Sequence, residues 1–591
     1  MKTLFALLGM LLLSMPLRAA PDLAPQLSAL LREEGLDGAV WTTLAAEGAA
    51  GVSDARSGAP MRVDQRVHVG SVAKTVLATG ILRLVSERRL SLDTRVSSLL
   101  PGLEFVNPWE ASDPLLVRHL LDHSAGLDDA RFWQVFSMER RPDMPLADAF
   151  PRGAGLLRVR HRPGSRFSYS NMGYTLLGMI VETVTGQRYE RYLDAALLRP
   201  LGMHDSSFAF VSQEHDARLA MGHFEDSVGQ AAQPVALRPA AQFITTTADM
   251  GRFARFLMSD GSLGGKPFIA PALLRRMGEP AGTDAARAGL RAGYGLGLRA
   301  EDHHGVLAKC HGGSTVGFRA KLCLFPATRQ AFFMAVNTDS ETADYRRIDA
   351  LLVRTLGLGG EAPAPGLTGS VDVRPWEGFY IPSPSRFESM RFLDTVFNFM
   401  RVSARGPLLR LQPFQSPAQE LSHVSDGLFR APGKLLPSHA LLTSREGARV
   451  ITTGTQSYEK VSLMWLAYGW CGVAAGLLGL AAIMALGLGR IARRRMAARD
   501  PLLPPFAGAL ALLLPLPFFY RQSLLQLGDL TLASGLLAVV TAMLPLAMLL
   551  GLWRVWRSAS GRHAESLAML AVLHLSLVLA AWDLLPLRLW S

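Results

Sequence analysis

Three short segments of this chain carry residue types that can perform acyl transfer together. In the first, His68–Glu87, Ser71 follows Gly70 and opens a run with helical apolar spacing, and Lys74 stands three residues on. That spacing puts the amine and the hydroxyl one turn apart on one helix face. A serine hydroxyl attacks a carbonyl only when a base takes its proton. Lysine can be that base only if desolvation or a nearby cation lowers its pKa. The helix N-terminus adds backbone N–H groups suited to an oxyanion. In the second segment, Pro163–Gly186, Tyr169-Ser170-Asn171 comes just before a helix expected to start near Met172. A phenol there can relay a proton between nucleophile and leaving group, and the Asn171 amide can donate to a substrate carbonyl. In the third, Lys309–Pro326, His311-Gly312-Gly313 sits on an expected strand, where glycines let a substrate backbone approach. Singly, each has an ordinary reading: an N-cap serine with a solvated lysine, a core tyrosine with a capping asparagine, a glycine-rich hairpin.

Taken together, the order SxxK, YxN, HGG, with about 100 and then about 140 residues between them, resembles the serine β-lactamase and penicillin-binding-protein superfamily. Val117–Asp129 (VRHLLDHSAGLDD), Leu197–Phe208 (LLRPLGMHDSSF) and Ile244–Leu257 (ITTTADMGRFARFL) are similar to further segments of that superfamily, and the resemblance covers about residues 25–355. It implies an α+β fold, an antiparallel sheet flanked by helices. By the same resemblance Ser71 is similar to the acylated serine, Lys74 to its general base and Tyr169 to the proton shuttle. Asn171, His311, Gly312 and Gly313 would contact substrate, and the backbone N–H groups of Ser71 and Ser314 would form the oxyanion hole. Class C β-lactamases carry Lys-Thr-Gly where this chain has His311-Gly312-Gly313. A histidine is mostly neutral at pH 7, and this version resembles the esterase and D-aminopeptidase branches. The resemblance therefore implies an acyl-enzyme hydrolase of esters, amides or D-peptides, with weak β-lactam turnover, and it implies no metal or cofactor. The overall plan also resembles membrane-tethered periplasmic peptidases that remove an N-acyl-D-amino-acid cap from a prodrug. The rival from another class is a penicillin-recognising sensor that acylates without turnover.

The elements that must position these residues occupy part of a 591-residue chain. Residues 21–358 mix short β patterns with helices and hold all three segments. A Gly/Pro linker at 359–369 leads to 370–460, where short strands separated by turn residues predict a small β-rich accessory domain or barrel. Hydrophobic residues make up 49 % of the chain and the mean hydropathy is +0.20. The excess lies in two places. Residues 1–20 have the basic start, apolar middle and small-residue end of a signal peptide. Residues 461–591 hold four apolar stretches of membrane-crossing length, at 461–489, 502–520, 530–552 and 566–587, with Asp583 inside the last.

The net charge of +12 does not point to nucleic acid. From residue 461 onward there are ten arginines against four acidic residues, and they flank the apolar stretches. Arg490–Arg499 and Arg554–Arg562 mark cytoplasmic loops by the positive-inside rule. The expected location is the bacterial inner membrane, multi-pass, with the catalytic domain on the periplasmic side. The expected partners are a small-molecule substrate and the lipid bilayer, with oligomeric state left open.

The three cysteines have neither CxxC nor zinc-finger spacing. If Lys309–Pro326 is a hairpin turning at Val316-Gly317 with Ser314 opposite Arg319, then Cys310 faces Cys323. A disulfide there is possible by geometry and would persist in an oxidising compartment.

Overall fold

In a computed structural model, residues 23–360, 372–558 and 561–591 are described. The apolar leader at 1–20 and nearly all of the 359–369 linker lie outside them.

An eight-stranded antiparallel sheet organises the first unit. Its order runs Gly293–Tyr294, Arg299–His303, Val306–Thr315, Phe318–Phe325, Gln330–Val336, Gly38–Thr43, Glu47–Asp54, Ala59–Pro60. The sheet is covered on both faces, so its central strands are almost wholly apolar. On one face Leu322, Leu324, Phe333 and Ala335 join the large core shared with helices Ala73–Ser86, Asn171–Thr185 and Thr247–Leu257. On the other, Phe325, Phe332, Met334 and Val336 pack under helices Leu23–Glu33 and Tyr345–Thr355. Strand residues alternate between the faces, so Cys310 and His311 belong to opposite sides.

Helix Ala73–Ser86 has buried residues around most of its circumference, Lys74 included. It is a central core helix rather than a surface one. Helix Asn171–Thr185 starts one residue earlier than expected. The Ser170 side chain accepts from Gly173 N at 2.8 Å, and Gly186 closes the helix in the left-handed conformation.

Strands Val306–Thr315 and Phe318–Phe325 form the anticipated hairpin. Ser314 pairs with Arg319 and Cys310 with Cys323, and a disulfide joins the two cysteines. It sits on the face under the terminal helices, away from Ser71.

The β-rich segment is a closed eight-stranded antiparallel barrel from Gly378–Pro382 to Ser457–Val461, filled by Tyr380, Val402, Leu409, Phe429 and Ile451. Within it, strands Gln419–Ser425 and Leu428–Arg430 form a hairpin turning at Asp426-Gly427.

Among the described residues four helices are long and apolar enough to cross a membrane: Leu463–Ala492, Leu503–Arg521, Leu532–Ser558 and His563–Ala581. The proline-rich second one divides into Leu503–Ala511 and Leu516–Arg521. The fourth ends at Ala581. Asp583, expected inside the last span, lies beyond it with a left-handed backbone. Close packing of the first and fourth helices rests on glycine. A Cβ on Gly476 would meet Leu575 at 2.4 Å, and one on Gly479 would meet the Ala568 carbonyl at 2.7 Å.

The units touch one another. Arg166 donates to Ser383 Oγ (2.6 Å) and Glu459 (2.7 Å) of the barrel. Gly528 N, between the second and third membrane helices, donates to Phe136 O at 2.7 Å, and Met138 N donates to Asp529 Oδ2 at 3.0 Å. Phe392 of the barrel unit packs at a tilt against Trp582, just past the fourth helix, with ring centroids 5.6 Å apart.

Candidate functional site

Ser71 lies in a single 3₁₀ turn, Gly70–Val72, that leads directly into helix Ala73–Ser86. Strand Val306–Thr315 crosses this turn so closely that a side chain on Gly70 or Gly313 would clash with the facing backbone. A Cβ on Gly70 (φ +52) would sit 2.5 Å from Ser314 O, and one on Gly313 would sit 1.9 Å from Val69 O and 2.8 Å from Ser71 N. Glycine at both positions is what brings Ser314 beside Ser71. The two residues expected to supply oxyanion N–H groups are thus adjacent.

Lys74 Nζ is buried and has three oxygen neighbours: Ser71 Oγ at 2.8 Å, Asn171 Oδ1 at 2.7 Å and Ala240 O at 2.8 Å. Burial pushes its pKa down to about 7; Asp129 opposes that shift and Arg386 reinforces it. A neutral amine has two hydrogens and one lone pair. Asn171 Oδ1 and Ala240 O can only accept, so they take the hydrogens. The lone pair is left for Ser71, whose hydroxyl is the only one of the three neighbours that can donate. The arrangement can therefore accept the Ser71 proton at Lys74.

Tyr169 Oη donates to Ser71 Oγ at 3.0 Å. Burial raises the Tyr169 pKa well above its ordinary value, with the Ser71 hydrogen bond and Arg386 opposing. The residue stays a phenol that can donate a proton rather than a resting phenolate.

Asn171 has one amide edge committed. Its Nδ2 donates to Asp129 Oδ1 at 2.6 Å, and its backbone N to the same oxygen at 2.9 Å. The substrate contact expected of this amide narrows to its second hydrogen. Asp129 is fully buried, as is His123 beneath the Tyr169 ring, centroids 4.3 Å apart. His123 Nδ1 accepts from Ser170 N at 3.1 Å, and burial with Lys74 nearby keeps the ring neutral. Neither residue was singled out from the sequence, although both stand inside Val117–Asp129. A third, Arg386, comes from the barrel unit: its Nε donates to Asp129 Oδ2 at 2.6 Å. No sequence signal linked it to the site.

His311 is buried edge-on to Tyr294, ring centroids 5.6 Å apart. Its Nδ1–H donates to Gly312 O at 2.6 Å, while Nε2 has no partner among the described residues. Burial and Lys74 push its pKa down to about 3. It is a neutral imidazole, not a cation.

These groups line one cleft of 1220 Å³ with Ser71, Tyr169, Asn171 and His311–Ser314 in its wall. Arg386 and Phe387 of the barrel unit and Leu524 and Leu525 of the membrane hairpin complete it. Among the described residues no group of three or more His, Cys, Asp or Glu side chains could hold a metal ion.

Comparison with known proteins gives the family and the fold. A family model described as Beta-lactamase matches residues 35–356. Penicillin-binding protein 4 of Amycolatopsis lactamdurans is 28 % identical over 347 residues, 56 % of this chain and 88 % of that protein. Esterase EstB of Burkholderia gladioli is 33 % identical over 220 residues, 34 % of this chain and 55 % of that protein. The crystal structure of SurE matches with a TM-score of 0.51 at 24 % identity, covering 75 % of this chain and 99 % of SurE, a likeness of fold.

Proposed function

This chain belongs to the Beta-lactamase family, and from that premise we propose that it is an exported, membrane-anchored serine hydrolase that cleaves an ester or amide through an acyl-enzyme on Ser71. The observation that carries the reading is the triangle of Lys74 Nζ, Ser71 Oγ and Tyr169 Oη, at 2.8 and 3.0 Å, around a lysine that burial holds near neutrality.

Ser71 Oγ attacks the carbonyl carbon as its proton passes to Lys74. The developing oxyanion is met by the backbone N–H groups of Ser71 and Ser314. Collapse of the tetrahedral species expels the leaving group. Tyr169 hands it a proton, and the proton that Lys74 took from Ser71 makes good that loss. Water then attacks the ester on Ser71 as one of its protons passes to Lys74, and collapse returns that proton to Ser71 Oγ and releases the acid. Asp129 and His123 hold Asn171 and Tyr169 in place without touching the reacting atoms.

We assign the hydrolase and barrel to the periplasmic side of the bacterial inner membrane. The leader segment, the arginine distribution and the contacts of residues 528–529 and 582 with the outer units all favour this topology. Fluorophosphonate labelling and p-nitrophenyl ester turnover test the chemistry. Both are expected in the wild type and lost in Ser71→Ala; full activity in that variant overturns the reading. Labelling without turnover would mark a sensor instead.

A further inference from the structure

The cleft holds a cation that chemistry at Ser71 does not use. Arg386 lies between barrel strand Gly378–Pro382 and helix Arg391–Phe397. Its guanidinium is 5.0 Å from the Tyr169 ring centroid and 5.1 Å from that of Phe387. It is thus one tyrosine ring away from Ser71 Oγ. The side chain is 56 % exposed and lines the same cleft as Ser71.

Only one of its nitrogens is occupied. Nε donates to Asp129 Oδ2, while Asp129 Oδ1 takes the two Asn171 donors. Nη1 and Nη2 have no hydrogen-bond partner among the described residues. The other cations of the cleft wall are paired: Arg299 with Glu301, Arg319 with Asp339, Lys321 with Asp349. The segment bearing Arg386 is also fixed from both sides. Glu388 N donates to Asp128 Oδ1 at 2.9 Å, and Arg160 Nη1 to Ser385 O at 3.0 Å. A guanidinium held this way by its inner edge is preorganised to bind a planar anion with its outer one.

We propose that Arg386 is the anion-recognition residue of this cleft, and that the substrate is an ester or amide carrying a carboxylate close to its scissile carbonyl. The proposal rests on the hydrolase reading of Ser71. It accounts for where the fixed positive charge went: His311 is neutral, and the barrel unit supplies the cation in its stead. One guanidinium serves two carboxylates on separate edges, so Asp129 does not preclude the ligand.

The test uses full-length protein in detergent and two matched pairs of aryl esters. In one pair the acyl chain ends in a free carboxylate or in its methyl ester; in the other the leaving group carries the carboxylate or its methyl ester. In at least one pair the wild type should prefer the carboxylate form by about 10- to 100-fold in kcat/KM, the range for one charge-assisted pair. The preference should reside mainly in KM, collapse in Arg386→Gln and return in part in Arg386→Lys. A ratio of two substrates on one preparation does not depend on the fraction folded, so a merely structural role for Arg386 would leave it unchanged. Turnover with neither pair discriminated, or a preference that survives Arg386→Gln, overturns this inference alone. Absence of both turnover and fluorophosphonate labelling overturns the hydrolase reading and this one with it.

Discussion

Lys74 Nζ lies 2.8 Å from Ser71 Oγ with its other two hydrogen-bonding directions taken by acceptors, Asn171 Oδ1 and Ala240 O. Because burial brings its pKa down to about 7, the base form grows as pH rises through neutrality. The expected kcat/KM profile climbs about tenfold per pH unit below pH ~7 and levels off above it. Tyr169, held above its ordinary pKa, adds no alkaline limb below the usual tyrosine range. Lys74→Ala should cost on the order of 10⁴–10⁶ in kcat, non-additively with Ser71→Ala. A rate independent of pH between 5 and 9 would show that Lys74 is not the base.

His311 leads to a prediction about substrates. Its ring is buried, neutral and hydrogen-bonded to its own strand, so strand Val306–Thr315 offers no permanent charge to a β-lactam carboxylate, and the free cation of the cleft, Arg386, stands over the Tyr169 ring instead. A cephalosporin should be turned over far less efficiently than a short-chain p-nitrophenyl ester, read as kcat/KM on one preparation. Efficiency on the cephalosporin equal to that on the ester would mean that Arg386 takes the lysine's part for β-lactams as well.

How much of this was legible beforehand follows from where the information sits. Ser71 and Lys74 share one helix, and Cys310 and Cys323 share one hairpin. Local periodicity therefore places each pair. The barrel's closure was not readable, because pairing of Gly378–Pro382 with Ser457–Val461 is non-local and leaves no periodic trace in either strand. Asp129 and His123 stood in a segment already noticed, but nothing in their spacing says that one orients Asn171 and the other underlies Tyr169. Arg386 is 257 residues from the aspartate it binds, in a unit where the sequence offered no catalytic pattern. The fourth membrane helix was read as ending six residues too late because the apolar run continues past Ala581, while the left-handed turn at Asp583 that follows its end is a matter of backbone conformation.

The disulfide carries a third prediction. Titration of denatured, unreduced protein should find one free thiol, from Cys471, which is exposed and unpaired, and three after reduction. The bond braces the strand that also holds His311 and Ser314, although it faces the terminal helices. Cys310→Ala with Cys323→Ala should therefore lower stability by about 2–4 kcal/mol, with a smaller loss of activity. Three free thiols before reduction would refute the pairing in the native protein.

The last prediction concerns which way the chain crosses the membrane. Residues at the two ends of the helical bundle have different company. At one end Gly528 and Asp529 hydrogen-bond to the hydrolase at Phe136 and Met138, and Trp582 packs on Phe392 and Arg391. At the other, Arg490 and Arg562 converge on Asp500 and Glu565, and Arg554 donates to the Asp500 carbonyl. Four crossings put the hairpin near 525 and the C-terminus with the hydrolase, and the arginine-rich turns on the far side. The excess of arginine there fits the cytoplasmic face, and it is retained although part of it is neutralised by Asp500 and Glu565. A reporter active only in the periplasm should work when fused near residue 525 and fail near 495 or 560. Activity at 495 and 560 with none at 525 would invert the topology and place Ser71 in the cytoplasm, against both the leader segment and the arginine distribution.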